Sequence, residues 1–132
     1  MPDNQEQPST EKHIIGKTIL IVEDDDSFGD FLCQAISQET LHQPLRVPDG
    51  FQALQVITEI IPHLVILDYY LPGMNGIELY DRLHAARRLE HLPAIMTSPG
   101  VLEHDIQDRH IVGMSKPVDL SKLLDIIAEL IG

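Results

Sequence analysis

The 132-residue sequence predicts an α/β domain in which five parallel strands form one sheet covered by helices on both faces. Three observations carry that expectation. Short, β-branched apolar runs alternate with stretches of helical periodicity along the chain. The clearest of those runs are continuous rather than alternating, as strands buried on both faces require. With 43% hydrophobic residues the chain can build a core without cross-links, and its single cysteine, Cys33, excludes an intramolecular disulfide.

Residues 1–16 are polar, contain two prolines and show no apolar periodicity, so a flexible leader is expected there, ahead of one domain over 17–132. The run Thr18 to Val22 reads as the first buried strand. Phe28, Phe31, Leu32, Ala35 and Ile36 then fall on one helical face, with Asp26 or Ser27 as the cap. Leu45 to Val47 is a short strand before Pro48-Asp49-Gly50. Ala53, Val56, Ile57, Ile60 and Ile61 repeat the helical spacing until Pro62 stops it.

Leu64 to Leu67 is a second buried strand and ends at Asp68; the segment 71–76 that follows is dense in turn residues. A helix is expected from about Gly76 to Arg88, with Leu79, Tyr80 and Leu83 inward. Ala94 to Thr97 and Ile111 to Met114 read as the last two strands. The final helix carries an unbroken stripe, Leu120, Leu123, Leu124, Ile127, Ala128 and Ile131, with Asp119 as its cap.

Charge narrows the function. Twenty-one acidic residues against nine basic ones give −12, which disfavours direct contact with nucleic acid or anionic lipid, because both rest on Lys/Arg neutralisation. There is no secretory signal pattern and no apolar stretch long enough to cross a bilayer, so a cytoplasmic address is expected. The seven histidines are dispersed, with no i, i+4 pair to hold a metal.

In parallel sheets of this kind ligands sit at the carboxyl ends of the strands. Glu23, Asp24, Asp25 and Asp26 follow the first strand, Asp68 ends the third, Ser98 lies at the end of the fourth and Lys116 follows the fifth. Each has an ordinary reading as a cap or turn residue. Together they pose an electrostatic problem, since clustered carboxylates repel one another as they lose hydration. A divalent cation removes the conflict, and Mg2+ suits a few carboxylates, carbonyls and retained waters that also handle phosphate. An aspartate free to attack phosphorus would form an acyl phosphate, with Lys116 supplying positive charge and the Ser98 hydroxyl a donor.

At these residues the chain resembles the receiver domain of bacterial two-component response regulators. The segments that carry the resemblance are Ile-Leu-Ile-Val-Glu-Asp-Asp (19–25), Leu-Val-Ile-Leu-Asp-Tyr-Tyr-Leu-Pro-Gly-Met-Asn-Gly (64–76), Pro-Ala-Ile-Met-Thr-Ser (93–98) and Lys-Pro (116–117), in order and at suitable distances. The resemblance implies a doubly wound, flavodoxin-like (βα)5 fold and a phosphoacceptor switch rather than an enzyme. It implies Asp68 as the acceptor, Glu23 and Asp24 as the acidic pair holding Mg2+ with Asp68, and the Tyr70 carbonyl as a further metal ligand. Ser98 takes the place of the hydroxyl that follows the phosphoryl group, Lys116 that of the pairing lysine, with a cis bond before Pro117. The implied partners are a sensor histidine kinase or a histidine phosphotransfer protein, and a downstream effector protein.

The chain also departs from the pattern. Ser98 and Lys116 are only 18 positions apart, leaving room for a short or irregular fourth helix over 99–110. Gly113 stands where the family usually has an aromatic residue, and Pro99 where it has a small one. These departures leave a second class open, a degenerate receiver acting as a phosphorylation-independent docking module. A haloacid-dehalogenase-type hydrolase needs a second aspartate where this chain has Tyr70, and no Gly-Lys-Ser/Thr phosphate loop is present.

Overall fold

Each apolar run becomes a strand in the computed structural model, which describes residues 16–100, 106 and 109–132. In chain order the elements are β1 (Thr18–Val22), α1 (Asp26–Glu39), β2 (Gln43–Val47), α2 (Gly50–Val56), β3 (Leu64–Asp68), α3 (Gly76–Ala85), a 3-10 turn (Arg87–Leu89), β4 (Ala94–Ser98), β5 (Ile111–Ser115) and α4 (Leu120–Ile131). The strands pair in the order β2-β1-β3-β4-β5, all parallel. This is the doubly wound, flavodoxin-like architecture, with its order reversing between β1 and β3.

Strand alternation sorts the core into two layers. Leu20, Val22, Val65, Leu67 and Met96 pack with Ala53 of α2 and with Leu79 and Leu83 of α3. Ile19, Ile21, Ile66 and Ile95 face the other way, onto Leu32 and Ile36 of α1 and Leu123 and Ile127 of α4. The central strands β3 and β4 are buried along their whole length, which explains their continuous apolar sequence, whereas β2 is an edge strand and alternates.

Several boundaries differ from the sequence reading. Asp25, not Asp26 or Ser27, caps α1, accepting from the Ser27 amide at 2.9 Å and the Phe28 amide at 3.4 Å. The second helix stops at Val56 instead of continuing to Ile61. There the Thr58 hydroxyl donates to the Gln55 carbonyl at 2.7 Å, and the Arg88 guanidinium donates to the Ile57 carbonyl, so side chains satisfy the helix end early. The third helix ends at Ala85 because Ala86 is extended, and the predicted last turn becomes the separate 3-10 turn. Asp119 caps α4 through the Lys122 amide as expected.

Most of the predicted fourth helix, and all of the leader but Gly16, lie outside the described residues. Ile106 is described, and its Cδ1 lies 2.9 Å from where a Cβ on Gly113 would stand. A side chain at 113 would require the end of Ile106 to shift. The Arg109 guanidinium forks onto Asp81 of α3, at 2.9 and 2.8 Å, and pulls that carboxyl below its ordinary range. Among the described residues no helix is long and apolar enough to cross a membrane.

Leu20 is fully buried in β1. Leu20→Ala is expected to lower stability by about 3 kcal/mol, the usual range for such a cavity. Leu41→Ala, at a side chain 71% exposed, is expected to change it by less than about 0.5 kcal/mol. Urea unfolding of the two variants checks the contrast.

Candidate functional site

The carboxyl ends of β1 and β3 are neighbours in the sheet, so residues that follow Val22 and residues that end β3 meet at one edge. Glu23 and Asp68 are both buried there, 2% and 5% exposed, while Asp24 is exposed beside them. Oxygen atoms of Glu23, Asp24 and Asp68 lie within 4.8 Å of one another. The acidic run of four is thereby divided by local chemistry. Asp25 is consumed as the α1 cap, Asp26 pairs with Arg46 at 2.9 Å, and Glu23 and Asp24 are left for the cluster.

Lys116 comes to the same place from beyond β5. Its Nζ donates to Asp68 Oδ2 at 3.1 Å and to Glu23 Oε1 at 3.5 Å, and lies 4.8 Å from the centre of the Phe28 ring. The Lys116 amide donates to the Ser98 carbonyl at 2.8 Å, and the Lys116–Pro117 bond is cis. The other Asp68 oxygen accepts from the Tyr70 amide at 3.3 Å.

Burial pushes the Glu23 carboxyl above its ordinary range and the Asp68 charge adds to this, while the Asp25 amide (3.1 Å to Oε2) and Lys116 oppose it. For Lys116 burial alone would lower the pKa, but its bonds to Asp68 and Glu23 outweigh that and hold it above the ordinary lysine value. One ammonium pairs with two of the three carboxylates, and the cluster keeps a net charge near −2 when all ionise.

Five residues expected from the sequence, Glu23, Asp24, Asp68, Ser98 and Lys116, stand at this edge. Ser98 is buried at the end of β4, but its hydroxyl donates to the Gly100 carbonyl and accepts from the Gly100 amide at 3.2 Å. It makes no hydrogen bond to the carboxylates. The Tyr70 side chain is 61% exposed and packs edge-on to Tyr69, so only its backbone is turned to Asp68.

Two residues the sequence did not single out shape the edge. Gly76 opens α3 where a Cβ would meet the Asp68 carbonyl at 2.7 Å, so only glycine lets the helix start this close to the strand end. Arg46 of β2 donates from Nε and Nη2 to the Glu23 carbonyl at 3.0 and 2.8 Å. Gly76 closes the turn-rich 71–76 segment and was recoverable as a close-approach glycine; an arginine on an edge strand carries no such sign.

The family model described as "Response regulator receiver domain" matches residues 19–128. The chain is 31% identical over 118 residues to Sporulation initiation phosphotransferase F of Bacillus subtilis, covering 86% of this chain and 93% of that protein. It is 36% identical over 95 residues to the Phosphate regulon transcriptional regulatory protein PhoB of Pseudomonas aeruginosa, covering 71% of this chain but only 41% of that longer protein. The receiver domain of a sensor histidine kinase from Pseudomonas aeruginosa, solved with a magnesium ion coordinated in its active site cleft, shares the fold with a TM-score of 0.80 at 22% identity, covering 89% of this chain and 98% of that one.

The raised Glu23 pKa has a definite sign. The folded state holds the Glu23 proton more tightly than the unfolded chain, so this group costs stability as pH rises through 4.5 toward the folded value. Glu23→Gln is therefore expected to raise the melting temperature in EDTA at pH 7 and to bring little gain at pH 4, where Glu23 is largely protonated. Thermal melts at both pH values check it.

Proposed function

The chain belongs to the response regulator receiver domain family, and from that premise we propose that it is a Mg2+-dependent phosphoacceptor switch with Asp68 as the acceptor. The observation that carries the reading is the buried Asp68 carboxylate held between Lys116 and the acidic pair at the switch point of the sheet.

The donor set fits a hard divalent ion. All three side chains are carboxylates, within 4.8 Å of one another, and their charge exceeds that of Lys116 by about the charge of one such ion. Glu23, Asp24 and Asp68 would hold it, with the Tyr70 carbonyl as a further oxygen. When bound, Mg2+ supplies positive charge to the oxygens of an incoming phosphoryl group.

The chain's own residues do the rest. One Asp68 oxygen attacks phosphorus, the bond from phosphorus to the donor's imidazole nitrogen breaks, and the nitrogen keeps the electron pair. The product is an acyl phosphate on Asp68 and a free histidine on the donor. Lys116, 3.1 Å from the acceptor carboxylate, is placed to pair with the phosphoryl oxygens. For Ser98 to follow the phosphoryl group its hydroxyl must leave Gly100, which couples phosphorylation to the chain at Pro99 and Gly100.

The donor in this reading is a sensor histidine kinase or a histidine phosphotransfer protein, the readout is a downstream effector protein, and the setting is the cytoplasm. A charge of −12 gives no footprint for direct nucleic-acid or membrane binding. The domain is a switch rather than a turnover enzyme. The closure of Ser98 onto Gly100 favours one other reading, a docking module that never responds to phosphate.

Beryllofluoride with Mg2+ separates the two readings. The switch is expected to show amide chemical-shift changes at Asp68, Ser98 to Gly100 and Lys116, all abolished by Asp68→Asn. An unchanged spectrum in the wild-type chain contradicts the switch and supports the docking module.

A further inference from the structure

Arg46 lies on β2, opposite Ile21 of β1, and its side chain runs along the α1 face toward the acidic run. Both Nε and Nη2 donate to the one backbone carbonyl of Glu23, at 3.0 and 2.8 Å, and Nη2 also donates to Asp26 at 2.9 Å. The Glu23 amide is held by the same strand, donating to the Val47 carbonyl at 3.1 Å. Both ends of the Glu23 residue are thus pinned to β2. The side chain of Arg46 is 18% exposed while that of Asp26 is 89% exposed, so the ion pair by itself is weak and the carbonyl contact is the significant one.

The room for this guanidinium comes from α1. A Cβ on Gly29 would stand 2.3 Å from Arg46 Nε and 2.7 Å from its Cδ. Glycine is otherwise a poor choice one turn into a helix. Its presence at a buried position is accounted for by the arginine that occupies the missing side chain's space.

We propose that Arg46, seated on Gly29, is a positioning residue for the metal site: it fixes the Glu23 backbone so that the Glu23 and Asp24 carboxylates face Asp68 before the ion arrives. This rests on the reading of Glu23, Asp24 and Asp68 as the Mg2+ site. It touches neither metal nor phosphoryl group and acts through the peptide of Glu23.

Two physical effects of removing Arg46 have opposite signs. As a mere positive charge near a cation site, its loss would tighten Mg2+ binding. As a clamp, its loss leaves the acidic loop to order on binding and weakens it, and outer partners of metal ligands typically matter by about tenfold or more. Gly29→Ala makes the same point without altering any charge: the methyl evicts the flexible end of Arg46, while alanine is the better helix former.

The test is Mg2+ titration of the full chain, followed by the amide shifts of Asp24, Asp25 and Asp68, with thermal melts in EDTA alongside. Arg46→Ala and Gly29→Ala are each expected to raise the dissociation constant about tenfold. Gly29→Ala is expected to do so with a smaller loss of melting temperature than Arg46→Ala, because alanine, the better helix former, offsets part of the lost carbonyl bonds. Arg46→Lys, which keeps the charge but not the fork, is expected to remain as weak as Arg46→Ala. Wild-type affinity or tighter binding in Arg46→Ala and Gly29→Ala would overturn the clamp and leave the metal site standing. A wild-type chain that shows no Mg2+ response at these amides would overturn both.

Discussion

Burial of Asp68 and Glu23 side by side is the constraint from which the rest of the site follows. Two carboxylates in a poorly hydrated place repel each other, and the chain meets that cost with one ammonium, Lys116, bonded to both. The compensation is deliberately incomplete in its arithmetic, since Asp24 adds a third negative charge within the same few ångströms. A fully neutralised cluster would be a structural ion-pair network. The excess negative charge is what the proposed Mg2+ would offset.

The parallel sheet makes such a cluster geometrically inexpensive. With β1 and β3 adjacent and codirectional, residues that simply follow each strand arrive together, and β5 at the far edge delivers Lys116 across β4 through its amide bond to the Ser98 carbonyl. Three neighbouring contacts shape the same edge. Gly76 lets α3 start against the Asp68 carbonyl, and the Phe28 ring of α1 lies beside the ammonium. The fork of Arg46 holds the Glu23 peptide from the opposite side.

Much of this was legible in the residues. The continuous apolar runs marked the buried strands, the edge strands β2 and β5 were read from shorter runs, and the strand ends then located Asp68, Glu23, Asp24, Ser98 and Lys116 at one edge. What was not legible depended on tertiary partners. Asp25, Asp26 and Ser27 have similar capping preferences, and only the folded backbone, extended at Asp25 and helical from Asp26, selects Asp25. The early end of α2 has a distant partner, since the Ile57 carbonyl just past it meets Arg88, 31 positions away. Arg46 and Gly29 have meaning only as a pair, 17 positions apart, and neither residue signals the other. Ser98 was placed correctly on β4, yet its hydroxyl bond to Gly100 is set by the backbone after the strand.

The proposed switch turns on a single carboxylate, that of Asp68, taking the phosphoryl group. Incubation of the chain with acetyl phosphate and Mg2+, followed by mass spectrometry of the intact protein and of its peptides after reductive trapping of the acyl phosphate, tests it most directly. The expected result is a gain of one phosphoryl group that requires the metal, maps to Asp68 and is lost in Asp68→Asn. A phosphoryl group found on another residue, or no gain at all with the metal present, would contradict it.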